Sequence, residues 1–253
     1  MPGAPRRLAG ALAALALAGC AATPEAPPAV IGGIPADEVG QLLRRWEAEW
    51  REFRGLRAAV DLRLLRRGRG HRGAGVLLIS PTQLRFEGLT PLGLPALVVS
   101  AGPDRVTVFS AAEGRAWAAR PTAEAMGRWL GVPVPPDTLI RLLVGHVPLP
   151  PAGARAQVAA DGAIEVAPEG GAPRQRVWVT ERGWPARIQL ENGEILTAAF
   201  EWTVGGVLQS VTVSAPRRAV EAHVRYHSAE HIAPPSEAFE IVVPPGVAIQ
   251  QLD

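Results

Sequence analysis

Three histidines form the most regular set of reactive groups in the sequence. His223, His227 and His231 recur every four residues, and on a helix this spacing would put their imidazoles on one face, where they could bind a metal ion. The residues around them favour a strand instead, because apolar and polar side chains alternate over residues 220–227. In a strand, His223 and His227 would lie about 13 Å apart at roughly 3.3 Å per residue, too far for one ion. We therefore predict no metal site here.

The other reactive group is the thiol of Cys20, the only cysteine in the chain. Arg6 and Arg7 precede an uncharged run from Leu8 to Gly19, which is shorter than the roughly 20 residues of a membrane-spanning helix and is typical of a secretory signal. The run ends in LAGC, which resembles the bacterial lipobox. This resemblance implies that residues 1–19 are a signal peptide and that Cys20 is acylated, with chains such as palmitate. The alternative is a buried structural cysteine.

Acylation of Cys20 would fix the protein to a membrane. Each buried CH₂ contributes about 0.8 kcal/mol, so two or three acyl chains anchor a protein stably where one does not. Residue 21 is alanine. In enterobacterial lipoproteins an aspartate at that position retains the protein in the inner membrane, so the resemblance implies a lipid anchor in the outer membrane, on its periplasmic face.

The charge composition does not indicate nucleic-acid binding. The full chain has 26 basic and 24 acidic residues, and without Arg6 and Arg7 the mature 253 − 19 = 234 residues have 24 of each. With Cys20 acylated, no disulfide or cysteine metal site is possible. The sequence contains no Gly-x-Ser-x-Gly elbow, phosphate-binding loop or His-Glu-x-x-His motif. We therefore expect no catalytic residues and no cofactor, and we do not expect an enzyme.

The elements begin after a linker rich in alanine, proline and glycine. Residues 20–35 read as the acylated cysteine and a flexible tether, and residues 36–253 as one domain. From Asp37 to about Phe53, apolar residues recur at helical spacing, and the opposite face has charges of both signs. This amphipathic helix is expected to pack on a sheet rather than on a membrane.

The rest of the domain alternates with a period of two, which is typical of short strands. Six strands follow from Gly55 to Ala119, separated by tight turns. Two short helices are predicted at 122–130 and 138–144, and about seven strands between Ala154 and Ser228. The predicted fold is an antiparallel meander interrupted midway by helices.

This arrangement resembles the LolA/LolB superfamily of lipoprotein carriers and acceptors, and most closely a LolB-like lipoprotein branch. The resemblance rests on GAGVLLISPTQLRFEGLTPLGLPALVVSAG and RPTAEAMGRWLGVPVPPDTLIRLLVGHVPL, with SPTQLRFE and LTPLG contributing most. It implies a mainly β fold with α-helices: a strongly curved antiparallel sheet, or unclosed half-barrel, covered by an N-terminal amphipathic helix and two short lid helices. Acyl chains would lie between the sheet and the helices. Solid packing of the same space is the alternative.

Two sets of apolar residues are candidate functional positions. The first would form the inner side of the lid, or ordinary core, and comprises Met126, Trp129, Leu130, Leu139, Leu142 and Leu143. In the second, Leu92 and Leu94 lie in a proline- and glycine-rich loop, which in LolB-like acceptors helps to transfer lipid to the membrane. The alternative is that Leu92 and Leu94 both pack under the rim of the sheet. This alternative is slightly favoured because the loop motif is not distinctive. In carriers of this family an arginine on the sheet holds the lid closed; Arg57, Arg63 and Arg85 are all possible here.

The function expected from this resemblance is non-covalent binding of the acyl chains of lipoproteins or lipids and their delivery to the outer membrane. The partners would be the membrane, the acyl chains and a periplasmic carrier protein. The alternative is a structural or assembly lipoprotein that uses the same fold as a protein-interaction module.

Overall fold

The computed structural model describes residues 35–129, 131–150, 155–168, 174–191 and 193–252, and Cys20 and tether residues 21–34 lie outside these ranges. The helices are α1 Ala36–Glu52, α2 Ala123–Trp129 and α3 Pro136–Leu143. The strands before α2 are β1 Leu56–Arg66, β2 Arg69–Ile79, β3 Leu84–Leu89, β4 Pro95–Ala101, β5 Val106–Ser110 and β6 Arg115–Ala119. Those after α3 are β7 Arg155–Val158, β8 Ile164–Ala167, β9 Gln175–Val179, β10 Pro185–Glu191, β11 Ile195–Trp202, β12 Leu208–Ala215, β13 Val220–His231 and β14 Ile249–Leu252.

All the described strands belong to one 14-stranded sheet, with β1 and β13 near its middle. From β1 the chain steps outward to β6, passes through α2 and α3, and returns from β7 at the far edge inward to β13. Neighbouring strands are antiparallel, except that β14 pairs in parallel with β6. The two edge strands, β14 and β7, are not paired with each other, so the sheet is open. The predicted fold class, a curved open sheet covered by helices, is confirmed.

Helix α1 packs on the sheet, as its apolar stripe predicts. Val39, Leu42 and Trp46 are buried in the main core, and the Trp46 indole N–H donates a hydrogen bond of 3.2 Å to the carbonyl of Gly183, in the turn between β9 and β10. Among the described residues, no helix is both long enough and apolar enough to cross a bilayer. The burial of Val39, Leu42 and Trp46 shows that the stripe is part of the protein's own core.

The arginine- and glycine-rich segment after β1 is a hairpin rather than a long turn. The sequence pattern predicts a turn up to Gly73, but only Arg67 and Gly68 form it, both with positive φ (49° and 77°). Turns of this type match the twist of paired strands. Arg69 pairs with Arg66, and β2 then runs antiparallel to β1 along its whole length. The sequence pattern was misleading because pairing with β1, not local preference, makes this segment a strand.

The C-terminal segment covers the face of the sheet that points away from α2 and α3. Arg85, on this outer face of β3, donates hydrogen bonds to the carbonyls of Ala238 (3.2 Å) and Glu240 (2.5 Å). The Ser100 hydroxyl on β4 donates one of 2.7 Å to the carbonyl of Phe239, whose side chain is buried. Beyond this contact the chain reaches β6 and adds β14. Residues 97–99 of β4 are therefore apolar on both faces because both faces are covered.

Several turns share one end of the sheet, here named the hairpin end. They are the β1–β2 turn at 67–68, the β3–β4 turn at 90–94 and the β5–β6 turn at 111–114. The register places them together: Gly75 of β2 pairs with Gly88 of β3, and Leu97 of β4 with Ser110 of β5. The hairpin end therefore brings together turns that are distant in sequence.

Candidate functional site: an apolar cavity under the lid helices

A cavity of about 360 Å³ lies between the inner face of the sheet and the segment containing α2 and α3. Alternation along each strand points one set of apolar side chains into it. The strand residues that line it are Val60, Leu62, Leu64, Leu77, Leu84, Phe86, Leu97, Val99, Val108, Trp117, Val213, Ala222 and Val224. Trp129, Val132, Leu139 and Leu143 close it from the helical side. The space is of a size that protein ligand sites commonly have.

Among the described residues that line this cavity, hydroxyl and carboxyl groups occur only at the hairpin end. Ser110 and Glu113 are the only described lining residues with a hydroxyl or carboxyl group, and both lie at the β5–β6 turn. Leu97, which also lines the cavity, is partly exposed beside that turn. An apolar chain could therefore lie inside with its polar end near Glu113. The other described lining residues have neither a hydroxyl nor a carboxyl group, so they offer mainly apolar contact.

The predicted lid residues divide into two groups. Trp129, Leu139 and Leu143 line the cavity, and the Trp129 ring lies 5.1 Å from that of Trp117 across its wall. Met126 and Leu142 are fully buried in the core and do not line it. Leu130 is outside the described residues. The lid and core interpretations of these helices thus hold for different residues of the same segment.

Among the described residues, two hydrogen bonds join the lid segment to the sheet, and neither donor belongs to the arginines considered from the sequence. The Tyr226 hydroxyl on β13 donates to the carbonyl of Leu143, and burial raises the pKa of this tyrosine. The Arg66 guanidinium on β1 donates to the carbonyl of Arg128 over 3.3 Å. Both acceptors are main-chain atoms near helix C-termini, where carbonyls lack partners within the helix. Because every residue has a main-chain carbonyl, the sequence does not indicate which carbonyl accepts a hydrogen bond.

None of the three arginines considered for this role contacts the lid in the described hydrogen bonds. Arg57 and Arg63 are exposed, and they alternate with the inward-facing residues of β1, so they point to the outer face. Arg85 holds the C-terminal segment and Glu87, with a guanidinium–carboxylate distance of 2.5 Å. The arginine that contacts the lid is Arg66, the last residue of β1 and three residues beyond Arg63.

Leu92 and Leu94 are exposed at the hairpin end, with 86% and 62% of their surface accessible. The favoured expectation that they pack under the rim is wrong. The loop is held by its own hydrogen bonds: the Thr90 side chain accepts from the amide of Leu94 (3.1 Å), and Gly93 adopts a φ of 77°. In this tight turn both side chains project into solvent.

The histidines of the regular set all lie on β13, so the predicted strand is confirmed. A ring nitrogen of His223 is 2.9 Å from the Thr212 hydroxyl. His227 lies 2.8 Å from a carboxylate oxygen of Asp61. His223 and His227 thus have separate partners in two different neighbouring strands.

A second cavity, of about 460 Å³, lies at the opposite end of the sheet and has a mixed lining. Glu49, Glu52, His146 and His231 border it together with aromatic rings. Burial, assisted by the charges of Arg141 and His231, lowers the pKa of His146 to about 4 from an ordinary value of 6.5. This space is the larger of the two, but its charged groups make it a poor site for an acyl chain.

The fold places this chain among known structures. No protein-family model and no curated protein matches the sequence. The structure is similar to that of a DUF1329 family protein from Desulfovibrio piger, with a TM-score of 0.51 and 11% identity over 82% of this chain and 98% of the other. It is also similar to a LolA superfamily protein from Nitrosomonas europaea, with a TM-score of 0.50 and 12% identity over 83% and 99%. At such low identity these similarities show the fold alone, and the predicted LolA/LolB-like fold is confirmed.

Proposed function

We propose that this protein is a lipoprotein, anchored through acylated Cys20 to the periplasmic face of the outer membrane, that binds acyl chains of lipoproteins or lipids and assists their delivery to that membrane. The observation that carries the proposal is the apolar cavity under α2 and α3. A cavity with such walls is unfavourable for water and favourable for hydrocarbon. The similarity to a protein of the LolA superfamily supports the same role.

The chemistry requires no cofactor and no covalent step. Burying an acyl chain contributes roughly 0.8 kcal/mol per CH₂, and the bilayer offers the chain a similar gain. Binding and release are therefore a competition between the cavity and the membrane. A periplasmic carrier protein is the partner that would supply the cargo, and Glu113 at the hairpin end of the cavity would lie near the polar end of the bound chain.

The tether gives the domain its reach. In the proposed mature chain, residues 20–35 separate the anchor from α1. Fully extended at about 3.3 Å per residue, they would span about 50 Å. That length would let the domain turn its hairpin end toward the bilayer that holds its own anchor, and toward an incoming carrier.

The first test uses the chain from Ala21 to Asp253, which retains every described residue. The protein is purified from cells without detergent and extracted with organic solvent, and the extract is analysed by mass spectrometry. We expect lipid in near-stoichiometric amount and uptake of an apolar fluorescent probe by the delipidated protein. A folded protein that contains no lipid and ignores the probe would contradict the proposal and favour the protein-interaction module.

A further inference from the structure

The β1–β2 hairpin concentrates positive charge at the hairpin end of the sheet. Arg66, Arg67, Arg69 and Arg72 lie within seven consecutive residues, and all are exposed. Among the described salt bridges, none involves these arginines. We call these four residues, with Arg63, the hairpin basic cluster. Its charge is local, because the expected mature chain has equal numbers of basic and acidic residues.

On the outer face, two arginines are placed directly opposite each other. Arg63 of β1 pairs with Arg72 of β2 on one side and with His223 of β13 on the other. Like charges at directly opposite positions destabilise a sheet. The neighbouring carboxylate, Asp61, is engaged by His227 at 2.8 Å. A depression of about 390 Å³ is bordered by Asp61, Arg63, Arg72, His223 and Arg225.

Protection of a free sheet edge does not account for this arrangement. Charged side chains on edge strands prevent unwanted pairing, and β2 does lack a β3 partner before Gly75. However, Arg63 lies on β1, which is paired on both sides with β2 and β13. A guanidinium there protects no edge. It is suited to binding an anion, because guanidinium groups bind phosphate oxygens in pairs of parallel hydrogen bonds.

The position of the hairpin basic cluster, beside exposed apolar side chains, indicates which kind of anion it would bind. Strand β2 of this hairpin pairs directly with β3, so the β1–β2 and β3–β4 turns are neighbours at the hairpin end. The exposed side chains of Leu92 and Leu94 project from the β3–β4 turn. Basic side chains beside exposed apolar ones suit a bilayer surface, where cations meet phosphate headgroups and apolar groups enter the acyl region.

We propose that the hairpin basic cluster docks on anionic phospholipid headgroups and so holds the cavity's hairpin end against the bilayer. The proposal extends the delivery step of the proposed function and does not depend on which acyl chain is carried. Docking by arginines would also make delivery sensitive to salt and to the lipid composition of the target membrane.

The test measures flotation of the chain from Ala21 to Asp253 with two kinds of vesicle. One contains phosphatidylcholine alone, and the other also contains about 30 mol% phosphatidylglycerol, which supplies the negative surface. We expect binding to the anionic vesicles only. Raising NaCl from about 0.1 M to about 0.5 M should largely abolish it, because screening shortens the reach of surface charge. This part of the test needs no variant.

A charge-neutral variant localises the effect. Arg67→Gln/Arg69→Gln/Arg72→Gln should reduce partitioning to anionic vesicles roughly tenfold to a hundredfold. The matched control, Arg54→Gln/Arg105→Gln/Arg120→Gln, removes the same charge from exposed positions at the opposite end of the sheet and should leave partitioning within about twofold of the original protein. Circular dichroism verifies that both variants are folded.

Three results would overturn the docking proposal: no binding to either vesicle, equal binding to both, or equal losses in the two variants. Uptake of the apolar probe by the same samples separates this result from the proposed function. Probe uptake without vesicle binding would leave the cavity proposal intact and remove the docking proposal. Salt-sensitive vesicle binding without probe uptake would support the docking proposal and contradict the proposal that the cavity binds acyl chains.

Discussion

The hydroxyl of Tyr226, on β13, donates a hydrogen bond to the main-chain carbonyl of Leu143, the last residue of α3. The side chain of the same leucine lines the apolar cavity. Strand β13, near the middle of the sheet, thus holds α3 in place over the cavity. The bond is made to the main chain of a residue that itself lines the cavity. Any opening of the lid at this helix must break the bond or carry β13 with it.

Tyr226→Phe is expected to lower the free energy of unfolding by about 1 kcal/mol, the typical contribution of one hydrogen bond, or somewhat more because the acceptor is left buried. The ring still fills its place, so the fold should persist. Chemical denaturation measures the change. Ser236→Ala, which removes an exposed hydroxyl hydrogen bond of 3.4 Å, is the control and should change stability by less than about 0.5 kcal/mol. Equal stability of the two variants would show that the Tyr226 bond contributes nothing.

The partly buried His146 predicts a particular loss of stability in mild acid. The unfolded chain binds a proton at this residue near pH 6.5, whereas the folded protein does so only near pH 4, because burial lowers the pKa. The free energy of unfolding should therefore decrease as the pH falls from about 6.5 to about 4, by up to about 3 kcal/mol from this residue, and should not depend on it above that window.

Comparison with His146→Gln isolates this contribution. The variant should show a flatter dependence of unfolding free energy on pH between 6.5 and 4, measured by denaturation at several pH values. His71→Gln, at an exposed position on β2, should retain the original slope. If the His146 variant had the same slope as the original protein, the histidine would not be held neutral by the fold.

The order of elements was predictable because its signals are local. The stripe of Val39, Leu42 and Trp46 has helical spacing, and these residues do pack on the sheet. The change to a period of two at β1 likewise depends on neighbours within a few residues. Burial of alternate side chains on one inner face then follows from strand geometry alone.

Contacts between distant segments were not predictable in this way. The parallel strand β14 and the burial of Phe239 depend on a C-terminal segment that Arg85 and Ser100 hold on the outer face. The same segment covers the outer face of β3 and β4. Pairing across such separations has no periodic signature in the chain.

The candidate site also combines features that the sequence predicts with features that only the fold determines. Apolar side chains of α2 and α3 were identified from their spacing, but the division between cavity wall and core depends on helix orientation: Leu143 faces the cavity and Leu142 does not. The bonds from Arg66 and Tyr226 to lid carbonyls were missed because any residue provides a carbonyl. Side-chain identity predicts donors here, and only the fold supplies the acceptors.

Filling the cavity should prevent ligand uptake while leaving the fold intact. Ala222 lines the cavity from β13, so Ala222→Phe would place a ring in the 360 Å³ space. We expect most uptake of the apolar probe to be lost, with a stability change of no more than about 1–3 kcal/mol. Val204→Phe adds a ring at a position that is 83% exposed and far from the cavity, and it should take up probe normally. Undiminished uptake by a folded Ala222→Phe protein would place the ligand elsewhere.

The exposed leucines predict a defect in delivery that is separate from binding. Leu92→Glu/Leu94→Glu should leave the free energy of unfolding within about 0.5 kcal/mol, because neither side chain is buried. Probe uptake should also be unchanged, since neither residue lines the cavity. Transfer of a fluorescent acyl chain from the protein to vesicles should slow by roughly tenfold or more, because burial of even one leucine in the bilayer contributes about 1.5–3 kcal/mol.

A matched variant decides whether the position or the charge matters for this delivery. Val204→Glu/Val242→Glu makes the same kind of change at sites that are 83% and 88% exposed but lie outside the β3–β4 turn. Its transfer rate should equal that of the original protein. If the leucine variant is stable and delivers at the original rate, the loop does not contact the membrane. If both variants slow equally, negative charge anywhere on the surface opposes delivery, and the leucines have no special role.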